Sequence, residues 1–102
     1  MANYVKVAKT NDLEDNSAKL IEVEGKSLAL IRCEGSYYAI DNACTHAGGS
    51  LCEGGISDGE VTCPWHAARF NVKTGEAVTG PARTGVGSYV VRVEGDDVEL
   101  AL

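Results

Sequence analysis

The stretch Lys19-Leu20-Ile21-Glu22-Val23-Glu24-Gly25-Lys26-Ser27-Leu28-Ala29-Leu30-Ile31-Arg32-Cys33-Glu34-Gly35-Ser36-Tyr37-Tyr38-Ala39-Ile40 decides the fold class. Lys19–Glu24 and Ser27–Cys33 read as strands, rich in the aliphatic residues that suit a pleated surface. Gly25-Lys26 predicts a tight hairpin between them, because glycine accepts positive φ. Glu34-Gly35 then turns the chain into Ser36–Ile40. Strands joined by turns this short pair antiparallel.

The same texture extends outward. Tyr4-Val5-Lys6-Val7 alternates apolar and polar residues, as a half-buried strand does. The polar run Asn11–Asn16 predicts one helical turn capped by Asn11. Arg69-Phe70-Asn71-Val72 predicts a strand, with Lys73-Thr74-Gly75 as a turn. A loop, Thr79-Gly80-Pro81-Ala82-Arg83-Thr84-Gly85, follows. Ser88–Val93 and Val98–Ala101 close the chain as strands around the turn Gly95-Asp96. The sequence shows no internal repeat and no long amphipathic helix. The expected class is all-β, an antiparallel barrel or sandwich with one irregular insertion.

At 102 residues and 10.7 kDa the chain is expected to be one domain, 1–102. Fifteen acidic residues against nine basic ones give a net charge of −6. That sign argues against nucleic acid as a partner and suits docking on basic patches. No apolar run approaches the ~20 residues of a membrane span. The N-terminus lacks the apolar stretch of a signal peptide. A cytoplasmic location with no membrane contact is expected.

The insertion carries the chemistry. Residues 44 to 66 hold five of the twelve glycines, three of the four cysteines and both histidines. Cys44-Thr45-His46 and Cys63-Pro64-Trp65-His66 form two short loops, spaced Cys-x-His, sixteen residues, then Cys-x-x-His. Each supplies one thiolate and one imidazole. Thiolates suit zinc or an iron–sulfur cluster, and imidazole suits either.

This pattern resembles the Rieske iron–sulfur family, whose signature is Cys-x-His, a spacer of similar length, then Cys-x-x-His. The resemblance extends to Gly80-Pro81-Ala82, where the family places a loop beside its cluster. It also covers Phe70, four residues after His66, and the Lys73-Thr74-Gly75 turn. It implies one [2Fe-2S] cluster in an insertion of about residues 42–72. By this match Cys44 and Cys63 hold one iron, and His46 and His66 hold the other. Two ferric irons, two sulfides and two thiolates then sum to zero charge. Such a centre accepts an electron more readily than an all-thiolate one, at about −150 to +300 mV against about −400 mV. Backbone N–H groups near Gly48, Gly49, Gly54, Gly55 and Gly59 are candidates for hydrogen bonds to the sulfurs.

The departures from the pattern place the chain within the family. Rieske proteins of quinol-oxidising membrane complexes carry an extra cysteine in each loop, joined as a disulfide. The matching positions here are Gly49 and Trp65. Those proteins also carry a serine and a tyrosine where Ala68 and Phe70 stand. The resemblance therefore implies a low-potential ferredoxin, similar to the electron carriers of bacterial aromatic-ring dioxygenase systems. Such a carrier is not itself an enzyme. The implied partners are a flavoprotein NAD(P)H reductase and a terminal Rieske non-haem iron oxygenase, with the carrier monomeric. Alternative readings are a nitrite-reductase-type small subunit and a zinc-stabilised interaction module.

The remaining conspicuous residues have plainer readings. Cys33 lies in phase with Ala29 and Ile31 and reads as a buried, inert thiol. Cys52 reads as a packing thiol. Trp65 reads as a hydrophobic cover for the cluster, and Pro81 as a residue that shapes the loop over it. Arg69, Lys73 and Arg83 read as solvated strand-end charges. Glu94, Asp96, Asp97 and Glu99 make an acidic end of the barrel.

Overall fold

A computed structural model describes residues 3–43, 50–64, 68–79 and 85–101. Most strands form where the sequence pattern places them, but Ile56–Ser57, Glu60–Thr62 and Ala77–Thr79 are strands that it did not predict, two of them inside the stretch expected to be irregular. The first strands are β1 (Tyr4–Lys9), β2 (Ser17–Val23), β3 (Lys26–Cys33) and β4 (Ser36–Asp41). Then come β5 (Ile56–Ser57), β6 (Glu60–Thr62), β7 (Arg69–Asn71) and β8 (Ala77–Thr79). The last are β9 (Ser88–Tyr89), β10 (Val91–Glu94) and β11 (Asp97–Ala101). They form antiparallel sheets in the orders β1-β11-β10, β2-β3-β4-β9 and β5-β6-β7-β8. The all-β class is as expected. No helix among the described residues is long and apolar enough to cross a membrane.

Strand β3 organises the packing. Successive side chains of a strand point to opposite faces. Leu28 and Leu30 enter a cluster with Ala8, Ile21, Val98 and Leu100. Ala29, Ile31 and Cys33 enter a second cluster with Ile40, Leu51, Val61, Cys63, Ala68, Phe70, Val72 and Val86. The unbroken apolar run Leu28-Ala29-Leu30-Ile31 follows from burial on both faces. One face meets the sheet of the chain ends, and the other meets the small β5–β8 sheet. Cys33 is buried in phase with Ala29 and Ile31, as expected.

Local details differ from the sequence reading in three places. Val23 pairs with Lys26, so the first hairpin turns on Glu24-Gly25 and Lys26 already belongs to β3. Glu24 and Gly25 have φ of 50° and 80°. Two successive positive-φ residues give the turn whose twist matches its strands. Glu34-Gly35 repeats this geometry where it was expected.

The helical turn is a 3-10 turn at Thr10–Asp12, not a helix capped by Asn11. The Lys9 N–H donates to the Asp12 carboxylate at 2.9 Å. That bond holds Asp12 below its ordinary carboxylate pKa.

Ser88–Val93 is two strands rather than one. β9 pairs with β4, whereas β10 pairs with β11 in another sheet. The chain changes sheets at Val90, which is 63% exposed. A corner of this kind closes sheets around a core, and no local pattern announces it. The acidic end is partly neutralised, by Lys6–Asp97 at 3.2 Å and Arg92–Glu99 at 2.7 Å.

Candidate metal centre

Three connections leave the framework, and the described residues define the base of each. The first follows β4. Ala43 pairs with Ser50 in an isolated antiparallel bridge, so residues 44–49 begin and end at one rung. Asn42 sits directly beneath. Its carbonyl accepts the Leu51 N–H at 2.8 Å and its Oδ1 accepts the Cys52 N–H at 2.8 Å. Its Nδ2 donates to Ser50 Oγ at 2.8 Å.

The second connection joins β6 to β7. Thr62 pairs with Arg69, and the Cys63 N–H donates to the Ala68 carbonyl at 2.7 Å. Cys63 therefore stands at the base of the connection between the two strands. The third connection follows β8. Its far side returns at Val86, whose N–H donates to the Gly75 carbonyl at 2.8 Å.

The three necks converge on one apolar cluster. Leu51 from the first, Cys63 and Ala68 from the second and Val86 from the third pack together with Phe70. Of the four ligand positions read from the sequence, Cys63 is described and is 1% exposed. Cys44, His46 and His66 lie outside the described residues, as do Gly48, Gly49, Trp65, Pro81 and Arg83. Among the described residues no group of three or more His, Cys, Asp or Glu is gathered to hold a metal ion.

Two of the candidate glycines have other duties. The Gly54 N–H donates to the Leu51 carbonyl at 3.0 Å, so it is not available to a sulfur. A Cβ on Gly54 would lie 1.9 Å from the Thr62 carbonyl oxygen, so glycine is there to let the two backbones touch. Gly59, with φ of 75°, turns the β5–β6 hairpin.

Cys33 and Cys52 are thiols, not disulfides. Cys52 packs against the cluster, with its Sγ 3.2 Å from Ser50 Oγ. Arg69 is exposed and pairs with Glu60 at 3.4 Å. Lys73 is exposed too, so these two are solvated charges as expected.

The surroundings match a particular charge state. Among the described residues the buried polar side chain is Asn42, and no Lys or Arg is buried. An all-thiolate cluster would bring two more negative charges beside these apolar groups, which raises the cost of burying it. Two thiolates and two imidazoles give an oxidised centre of zero net charge, which Leu51, Phe70 and Val86 can border without a counter-ion. The donor set and the apolar cluster therefore fit a Rieske-type centre.

Beside the first connection, Asp41 fastens β4 to β9. Its carboxylate accepts the Gly87 N–H at 2.8 Å and the Tyr89 hydroxyl at 2.6 Å. The bond to Asp41, helped by burial, pushes the Tyr89 phenol up to about 12. The sequence reading passed over both Asp41 and Asn42. Their position two and three residues before Cys44 was the one available signal.

The sequence matches the Rieske [2Fe-2S] domain family over residues 3–90. It is similar to the ferredoxin component of the naphthalene 1,2-dioxygenase system of Pseudomonas aeruginosa. The two are 42% identical over 82 residues, which span 80% of this chain and 79% of that protein. The fold is similar to the ferredoxin of carbazole 1,9a-dioxygenase from Nocardioides aromaticivorans, with TM-score 0.92, 33% identity and 96% of each chain covered. It is also similar to a chain in the solved complex of reduced oxygenase and oxidized ferredoxin in carbazole 1,9a-dioxygenase. There the TM-score is 0.90 at 30% identity, covering 96% of this chain and 92% of that one.

Proposed function

The chain belongs to the Rieske [2Fe-2S] family, and from that premise we propose that it is the ferredoxin component of an aromatic-ring dioxygenase system. It carries single electrons from a flavoprotein NAD(P)H reductase to a terminal Rieske non-haem iron oxygenase. It is an electron-transfer component and not a catalyst in its own right. The observation that carries this reading is the end-to-end likeness to ferredoxin components of dioxygenase systems. A nitrite-reductase-type subunit is not favoured by that likeness.

When bound, the Rieske cluster supplies a one-electron couple. The residues of this chain do the rest. Cys44 and Cys63 hold one iron and His46 and His66 the other, in a cluster-binding insertion of about residues 42–72 within a single domain. Leu51, Phe70 and Val86 keep the inner side of the site apolar. The carrier acts as a cytoplasmic monomer. Its contacts with both partners are small and transient, as electron-transfer encounters are.

The test is direct. Purified protein should be red-brown, contain two irons and two sulfides per chain, and bleach on addition of reductase and NADH. Added to reductase and oxygenase, it should restore turnover of an aromatic substrate. A colourless protein that binds one zinc overturns the reading.

A further inference from the structure

Asn42 is buried, 8% exposed, and its backbone and side chain are both engaged. Its N–H donates to the Ser27 carbonyl at 3.1 Å, which ties it to β3. Its carbonyl and side chain then grip Leu51, Cys52 and Ser50, three consecutive residues on the far side of the first connection. Ser50 Oγ accepts from Asn42 and keeps its own proton, with Cys52 Sγ 3.2 Å away.

The grip needs one side chain that meets the Cys52 N–H and the Ser50 hydroxyl together. The amide does so with its oxygen and its N–H, a carboxylate can do so with two oxygens when the hydroxyl turns to donate, and Ala can do neither. A fully satisfied buried polar network fixes one geometry, since each partly satisfied alternative leaves a buried group unpaired. Without the side-chain part of the grip, the connection keeps only backbone links across its base, the Leu51 N–H bond to the residue-42 carbonyl and the Ala43–Ser50 bridge among them. Nothing then fixes Ser50 and Cys52 to residue 42 through its side chain.

We propose that Asn42 is a positioning residue for the metal centre. It clamps both ends of the segment 44–49 onto β3, and so presents Cys44 and His46 to iron at fixed spacing. This rests on the ligand assignment proposed above.

The test uses the full-length, cluster-loaded chain and follows iron release to a chelator. Wild type, Asn42→Ala, Asn42→Asp, Ser50→Ala and Val98→Ala are each measured the same interval below their own melting temperature. Val98 lies in the other apolar cluster, so its truncation lowers stability without touching the first connection. Loss of a partner that orients metal ligands costs about 10- to 100-fold in metal retention. Asn42→Ala should therefore release iron faster than wild type by about that factor, while Val98→Ala stays close to wild type.

Asn42→Asp keeps the acceptor for the Cys52 N–H, and the Ser50 hydroxyl can turn to donate to it. It should recover most of the retention. Two results overturn the proposal: release from Asn42→Ala no faster than from Val98→Ala, or release from Asn42→Asp as fast as from Asn42→Ala. Should Asn42→Ala not fold, Ser50→Ala carries the decision. It should release iron about two- to tenfold faster for the one bond it removes, and release at the wild-type rate overturns the proposal. A wild-type protein without a Rieske spectrum would refute the functional reading instead.

Discussion

Ala68 and Phe70 are fully buried in the apolar cluster that contains Cys63, and neither carries a hydroxyl. A hydroxyl donated to a cluster sulfur stabilises the reduced, more negative state more than the oxidised one. A differential of about 1.4 kcal/mol corresponds to about 59 mV for one electron. Ala68→Ser and Phe70→Tyr are each expected to raise the potential by several tens of millivolts. Voltammetry of both variants beside wild type at neutral pH checks this. Unchanged potentials, with the new hydroxyls seen bonded to sulfur, would mean that solvent or backbone dipoles, and not these hydroxyls, set the potential. Each added oxygen enters a packed site, so some loss of stability accompanies the gain.

Tyr89 supplies a pH signature at the same scale. Its phenol is raised from 10.0 to about 12, first by the hydrogen bond to Asp41 and then by burial. The folded state thus holds the proton more tightly than the unfolded chain. The stability from this bond is fully present below pH 10 and is lost as pH climbs from 10 to about 12. In urea titrations, the advantage of wild type over Tyr89→Phe should be constant below pH 10 and shrink above it. An advantage that persists unchanged to pH 12 would mean that Tyr89 does not carry this shift.

At the scale of elements, glycines distinguish a turn from a junction. Gly25 and Gly75 share nearly the same φ, +80° and +78°. A Cβ on Gly25 meets nothing within 4 Å, whereas one on Gly75 would lie 2.1 Å from the Val86 carbonyl oxygen. Gly25→Ala therefore bears backbone strain alone, about 1–2 kcal/mol. For a domain of this size that lowers Tm by roughly 4–16 °C. Gly75→Ala bears the same strain and also forces apart the neck where Val86 returns to the site. Its Tm should fall further, and it should lose iron where Gly25→Ala retains it. Thermal melts and iron assays of the two variants make the comparison, and equal behaviour would show that the Gly75–Val86 junction does not support the centre. The β9–β10 corner belongs to this scale too. Ser88–Val93 looks like one strand because its residues all suit strands. What divides it is competition between β4 and β11 for its hydrogen bonds.

For the molecule as a whole, the ligand set governs the charge of the site. His66→Cys would exchange a neutral imidazole for a thiolate and so add one negative charge to the centre. It is expected to lose the cluster, or to move its potential toward the all-thiolate range near about −400 mV. Unchanged spectrum and potential would remove His66 from the ligands.

The strands of residues 4–40, Arg69–Asn71 and the closing hairpin, and the Glu34-Gly35 turn, were legible in the chain itself, whereas the short strands Ile56–Ser57, Glu60–Thr62 and Ala77–Thr79 were not. The legible features are local properties, side-chain alternation or a glycine at a turn. The sequence alone therefore determined the all-β class and, through its spaced Cys and His pairs, the family. Tertiary structure decided which face of β3 meets which sheet, where the chain changes sheets at Val90, and what Asp41, Asn42 and Gly75 do. Those roles depend on Gly87 and Tyr89, on Ser27, and on Val86. Hydrogen bonds and close contacts between residues far apart in the chain leave no periodic trace at either end, so only the folded backbone reveals them.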